Sequence, residues 1–397
     1  MKLSGSSRFL LSSAAALAFA SPAFALDGAD LVAKLNAAYA TSGATIAYDQ
    51  VSVDGSTVTM EGTKLVISGP ESKSINIGEV TMEGVEEQDD GGYYVETVAL
   101  PDVDMKEADN SFSVRDMQIG GLTIPGNPNG GTIDDMLVYE TASTGPLVVT
   151  AKGKEVFSME SSEANMTALE DGKGFDFDAD LKTIKADLSQ VDDAKTKDAL
   201  EKLGLMQVNG DIAMKGSWQV ESGDMKLDQF TFDFANVGKL NLAFDISGYT
   251  LQFVKAMQDA AKAAEANPNK EQANQAMGLA MMGLMQQLTF KSAEIRFEDA
   301  SITKRALDYV GGQQGVPGDQ FAQSLKAMVP IMMAQLNVPE LQNQVSAAVN
   351  TYLDNPKSLT IRATPANPVP VPMIAGAAMG APNTLPQVLG VTVTAND

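Results

Sequence analysis

The chain has 397 residues, 28 Lys and Arg against 51 Asp and Glu, no histidine and no cysteine, for a formal net charge of −23. Without His or Cys, neither a Ser-His-Asp nor a Cys-His nucleophile can be built, imidazole and thiolate metal sites are absent, and no disulfide can form. So acidic a chain repels phosphate backbones and anionic headgroups, which excludes nucleic acid as an expected partner.

In chain order, the first 25 residues read as a cleavable export signal. Lys2 and Arg8 supply the basic start, Phe9–Ala20 the apolar run, and Pro22 with Ala23-Phe24-Ala25 the small-residue site for cleavage after Ala25. The apolar run is too short to span a bilayer. The expectation is a periplasmic protein, soluble or peripheral, with no transmembrane anchor after cleavage. Lipidation at a mature N-terminal cysteine is impossible.

A short helix is expected over Asp27–Ala40. The chain then reads as strand after strand to about Ser189: Ile46–Val53, Thr57–Met60, Lys64–Ser68, Ser74–Met82, Tyr93–Leu100, Ser111–Ile119 and Met136–Tyr139, separated by Gly, Pro, Asn and Asp. With no helix-length gaps, these strands predict an antiparallel meander. Phe175–Leu181 alternates aromatic and aliphatic residues with Asp176, Asp178 and Asp180, the pattern of a strand buried on one side. A helix at Asp192–Leu203, stopped by Gly204, precedes strands at Leu205–Met214, Ser217–Val220, Met225–Ala235 and Lys239–Ser247.

From Thr250 the periodicity becomes helical. Helices are expected at 250–266, 270–287, 302–310, 319–336 (kinked at Pro330) and 340–353, around a strand at 288–299. A strand at 358–362, an extended segment at Pro365–Pro372 and a last strand near 389–394 close the chain. The whole reads as α+β: a long curved antiparallel sheet with amphipathic helices packed on it, divided into a leader (1–25), a β-rich meander (26–204) and an α+β region (205–397) that continues the same sheet.

Few motifs carry chemistry. Ser301-Ile-Thr-Lys304 matches the Ser-x-x-Lys of penicillin-recognising acyl enzymes, in which a desolvated Lys serves as base without histidine. The companion Lys-Thr-Gly and Ser-Asp-Asn motifs are missing, and Ser301 as a plain helix cap is the competing reading. The acidic runs at 86–90 and 171–178 fit no EF-hand or nonapeptide spacing and read as a hairpin loop and a solvated strand face. Among so many acids no pair stands out as a glycosidase dyad, and Trp218 is the single tryptophan. No catalytic residue, metal site or cofactor is therefore assigned.

Methionines supply the remaining signal. Met277, Met281 and Met285 fall with Leu284 and Leu288 on one helical face, and Phe321, Met328 and Met332 with Leu325 and Leu336 on another. Ordinary helix–sheet core explains such stripes. A flexible lining for a lipid-like ligand, made of Met277, Met281, Met285, Phe321, Met328 and Met332, is the functional alternative, and thioether ligation of copper(I) is a third.

The stretch Met214–Phe234 with Val237–Gly248, made of Gly-bounded alternating strands, resembles the long-stranded hairpins of AsmA-like proteins and related periplasmic families of unknown function. The resemblance implies a long, bent antiparallel sheet forming a groove, and a part in envelope lipid homeostasis. This chain differs in carrying a cleavable leader where those proteins keep a membrane anchor. The expected function is a non-catalytic periplasmic protein that binds or carries lipid-like ligands. The alternatives are a structural or assembly factor acting through protein contacts and, more remotely, a Ser-Lys acyl hydrolase.

Overall fold

The computed structural model describes residues 26–39, 44–67, 73–128, 131–335 and 337–397; the leader lies outside them. Among the described residues, one antiparallel sheet of twenty strands organises the chain, with the helices disposed around it, an α+β architecture.

Helix α1 (Gly28–Tyr39) leads into β1 (Ala44–Ala47) and β2 (Gln50–Asp54), two halves of one bent strand that both pair with β3 (Thr57–Ile67). β3 pairs with β4 (Lys73–Glu87), and β4 with β5 (Tyr93–Ala99). Thereafter the broken strand recurs. β6 (Val103–Glu107) continues β5 and turns into β7 (Asn110–Val114), which β8 (Gln118–Ile124) continues back along β5. Next come β9 (Thr141–Thr144) with β10 (Leu147–Ala151), and β11 (Lys154–Met159) with β12 (Ser161–Ala168), each couple again behaving as one long strand. β13 (Gly174–Asp187) pairs with both β12 and β11 along its length.

The breaks lie side by side. Asp49, Gly62, Gly78, Pro101, Asp116, Gly145, Glu160, Thr183 and Asp211 occupy neighbouring register positions, so one crease crosses the sheet. Several breaks have a local cause. Pro101 has no N–H to give to a ladder. Gly62 and Gly78 take positive φ, as do Asp116 (51°) and Thr183 (55°), a conformation that costs a β-branched residue. The freed backbone groups find side chains. The Thr183 N–H donates to Asp211 Oδ1 (2.7 Å) and its hydroxyl to Glu160 (2.8 Å), while the Asp116 N–H donates to Asp102 (3.2 Å). Arg115 pairs with Asp104 (2.6 Å) and Asp102 (3.4 Å) along the same line.

Helix α2 (Ala194–Lys202), capped by Asp193, joins β13 to β14 (Gln207–Gln219). The meander continues through β15 (Asp224–Phe234) and β16 (Gly238–Ser247), then α3 (Leu251–Ala266) and α4 (Lys270–Met285), to β17 (Thr289–Asp299). Helices α5 (Ile302–Gln313), α6 (Gly318–Gln335) and α7 (Pro339–Asp354) intervene before β18 (Ser358–Ala363) and β19 (Val369–Pro370), both on β17. Helix α8 (Val371–Gly380), the short α9 (Leu385–Val388) and β20 (Val391–Ala395), paired with β18, complete the chain. Helix α7 lies along the free border of β20. Gln344 accepts from the Val393 N–H (3.4 Å), and Asn396 donates to the carbonyls of Thr351 and Asn355.

Several expectations are corrected. Thr57–Met60 and Lys64–Ser68 are one strand, because Gly62 is a bulge and not a turn. Ser111–Ile119 is split by the crease. Met136–Tyr139 contributes a single bridge, Val138 to Thr123. The segment expected to stay extended through Pro372 becomes helix at Val371, where proline in the first turn loses no hydrogen bond.

The main core sits under α1, whose Leu31, Val32 and Leu35 cover Val58, Met60, Val80, Met82, Val95 and Ile124. Tyr93, 1% exposed, donates its hydroxyl to Asp30 of α1 (2.7 Å); burial and then that carboxylate push its pKa above the ordinary phenol value. Replacing Leu31 with Ala is expected to cost about 3 kcal/mol, and Tyr93→Phe about 1 kcal/mol. Urea unfolding measures both, and a loss under 1 kcal/mol for Leu31→Ala contradicts this placement of the core.

Candidate functional site

Directly opposed residues in an antiparallel sheet share a face. Following the register from β2 to β20 gives an uninterrupted apolar row: Val53, Val58, Met82, Val98, Ile119, Ala142, Ala164, Ala179, Met214, Phe230, Leu242, Ile295, Ile361 and Val393. Rows two residues to either side repeat the chemistry, as in Leu181–Ile212–Phe232–Leu240–Phe297–Leu359. Bulges preserve the face. Leu181 to Ile184, Leu227 to Phe230 and Phe290 to Ala293 each step three residues where alternation needs two, and the extra residue is absorbed by the bulge.

Aromatic rings line this face in contact with one another and with glycine. Phe230 and Phe232 lie 4.5 Å apart between centroids. The Phe177 ring covers Gly216, leaving no room for a Cβ there. At one end of the strands Trp218 donates to the Tyr249 carbonyl (2.7 Å) and packs edge-on against the Tyr249 ring, which in turn meets Phe253 of α3.

Helix α1 covers only the beginning of the row. Val58, Met82 and Val98 are 0–4% exposed, whereas Ile295 is 49% and Ile361 is 41% exposed. Between them, Ile119 through Leu242 are half-buried. On this face at the crease is an open depression of about 300 Å³, bordered by Leu100, Met117, Ile119, Ala142, Ala164, Ala179 and Leu181. Thr144 and Ser162, also on its border, hydrogen-bond to each other (2.9 Å).

The opposite face is charged and paired. Lys182 meets Asp180 (2.8 Å), Lys291 meets Asp224 and Asp245 (2.5 and 3.5 Å), and Arg362 meets Glu294 (2.5 Å). Arg296 binds Asp397 (2.9 Å) over the buried Thr360. Donation from the Thr394 hydroxyl, then from Arg296, Thr360 and Arg362, outweighs burial and holds the Asp397 carboxyl well below the usual carboxylate range.

The six residues expected to line a ligand site lie on two helices. Met277, Met281 and Met285 belong to α4; Phe321, Met328 and Met332 belong to α6. Met277, Met281 and Phe321 are half-buried, whereas Met285, Met328 and Met332 are exposed. Leu336, from the same expected stripe, lies outside the described residues. Few side chains of these helices are buried, Ala273 and Leu284 on α4 and Ala322 on α6 among them, so the long apolar surface of the molecule belongs to the strands.

Ser301 and Lys304 are directed apart. The Ser301 hydroxyl donates to the Asn236 carbonyl (2.9 Å), and Lys304, exposed, pairs with Asp308 (3.2 Å). Ser301 takes φ +108° and makes no side-chain cap. Asp299 performs that role, accepting from the N–H groups of Ser301 and Thr303 (both 2.8 Å). Among the described residues no cluster of three or more acids could hold a metal ion, and no helix is long and apolar enough to cross a membrane.

The lowered Asp397 pKa has a definite sign. Its bonds favour folding fully above the unfolded value of about 3.9 and are lost as pH falls below it. Wild-type protein should therefore lose thermal stability between about pH 4 and 2, and Asp397→Asn should start lower at neutral pH and show a flatter acid limb. Parallel acid limbs in the two melting series count against this assignment.

Compared with known proteins, residues 231–396 match a family model described as "Uncharacterized protein". No curated protein matches the chain.

Proposed function

We propose that this is an exported, non-catalytic periplasmic protein that binds or carries lipid-like hydrophobic ligands on the apolar face of its sheet. One observation carries the reading: the row from Ile119 to Val393 is apolar at every strand, yet among the described residues no helix buries it as α1 buries Val58, Met82 and Val98. An exposed apolar surface of this extent costs solubility unless something occupies it. Ten rungs at ~4.8 Å spacing extend about 43 Å, well beyond the ~15 Å of hydrocarbon in one bilayer leaflet. Acyl chains lying across the strands fit a surface that offers many apolar contacts and few hydrogen bonds.

A second reading makes the protein an assembly factor that receives a partner's amphipathic helix on this face, and the docking of α1 at the start of the row is the observation in its favour. Native mass spectrometry of gently purified protein, followed by lipid extraction, separates the two. Co-purified lipid released on unfolding is the expected result. Lipid-free protein that also fails to bind a fluorescent polyene fatty acid rejects the carrier.

A further inference from the structure

Resting on that reading, we infer that the ligand is gripped at the crease, as a single unbranched hydrocarbon chain lying in the depression over Ala142, Ala164 and Ala179. Two independent features meet there. The first is the backbone: β5/β6, β7/β8, β9/β10 and β11/β12 all break, and β13 bulges, at neighbouring register positions, so the sheet bends along the line that the depression occupies. The second is side-chain volume: the row narrows to three successive alanines, with Ile119 before them and Met214 after.

The chemistry of the border selects the occupant. Thr144 and Ser162 are engaged with each other, and Glu163 is the only charged residue among the lining groups, so no cation is placed to receive an anionic head. At about 300 Å³ the depression is at the small end of ligand pockets (~300–1,000 Å³), too small to take a bulky or branched body. The head of the ligand therefore stays outside and the chain alone is held. Specificity is for chain shape, not head group.

The test is photo-crosslinking of the wild-type protein with a long-chain fatty alcohol bearing a diazirine, with labelled peptides mapped by mass spectrometry. Labels confined to Ile119, Ala164 and Leu181 are expected, and Ala164→Phe, which fills the depression, should weaken binding about tenfold or more. Ala213→Phe adds the same bulk to the charged face and should bind as wild type does. If Ala164→Phe does not fold, Ala142→Leu takes its place. Labels concentrated at Ile295 and Ile361, or unchanged binding by a folded filled variant, overturn the grip while leaving the carrier reading intact. Failure of the wild-type protein to bind the probe overturns both.

Discussion

The constraint on which the rest of this structure depends is that each backbone N–H and C=O of a very wide sheet must find a partner while the strands twist. A straight ladder across so many strands is not sustainable; from β1 to β14 the breaks share one line, and further bulges such as Leu227–Phe230 and Phe290–Ala293 lie outside it. Asp211 and Asp102 accept N–H groups that the ladder releases, Glu160 accepts the Thr183 hydroxyl, and Arg115 ties Asp102 and Asp104 together. The crease is thus a hydrogen-bonded hinge line within the sheet. The depression on the apolar face lies beside this line, over Ala142, Ala164 and Ala179.

Coverage of the two faces follows from where the connections are long. Most strands are joined by tight turns, which leave nothing to lie over the sheet. Longer excursions occur before β1, between β8 and β9, at α2, between β16 and β17, between β17 and β18, and before β20. Of these, α1 buries a run of large apolar side chains against the sheet. Helix α3 meets the aromatic cluster of Trp218 and Tyr249, and α7 borders β20. The uncovered row is what this topology leaves over.

Much of this was legible in the sequence, and the exceptions are informative. Leu240, Leu242, Phe244 and Ile246 alternate so plainly that face and register follow from period two alone. The three-residue steps at Leu181–Ile184 and Phe290–Ala293 are visible too, but read locally they look like the end of a strand. Only the partner strand reveals a bulge. Gly62 misled in the same way, since glycine marks a turn and a bulge with equal ease. The methionine stripes of α4 and α6 showed that the helices have an apolar face and said nothing about what it meets, because helical periodicity reports a side and not a neighbour. The row across the sheet was invisible for a related reason: its members lie on many separate strands, and only the assembled register places Ala164 beside Ala179 or Leu242 beside Ile295.

The position of α7 along β20 has a consequence for assembly. A bare terminal strand invites the first strand of another molecule, and antiparallel sheets joined in that way grow without a natural end. Gln344 occupies the outer side of β20 at Val393, and Asn396 ties the end of the strand to the last turn of α7. Were α7 to lift away, successive molecules could pair border to border and their apolar rows would fuse into a hydrophobic stripe as long as the polymer. One helix laid along one strand therefore covers the border through which such pairing would run.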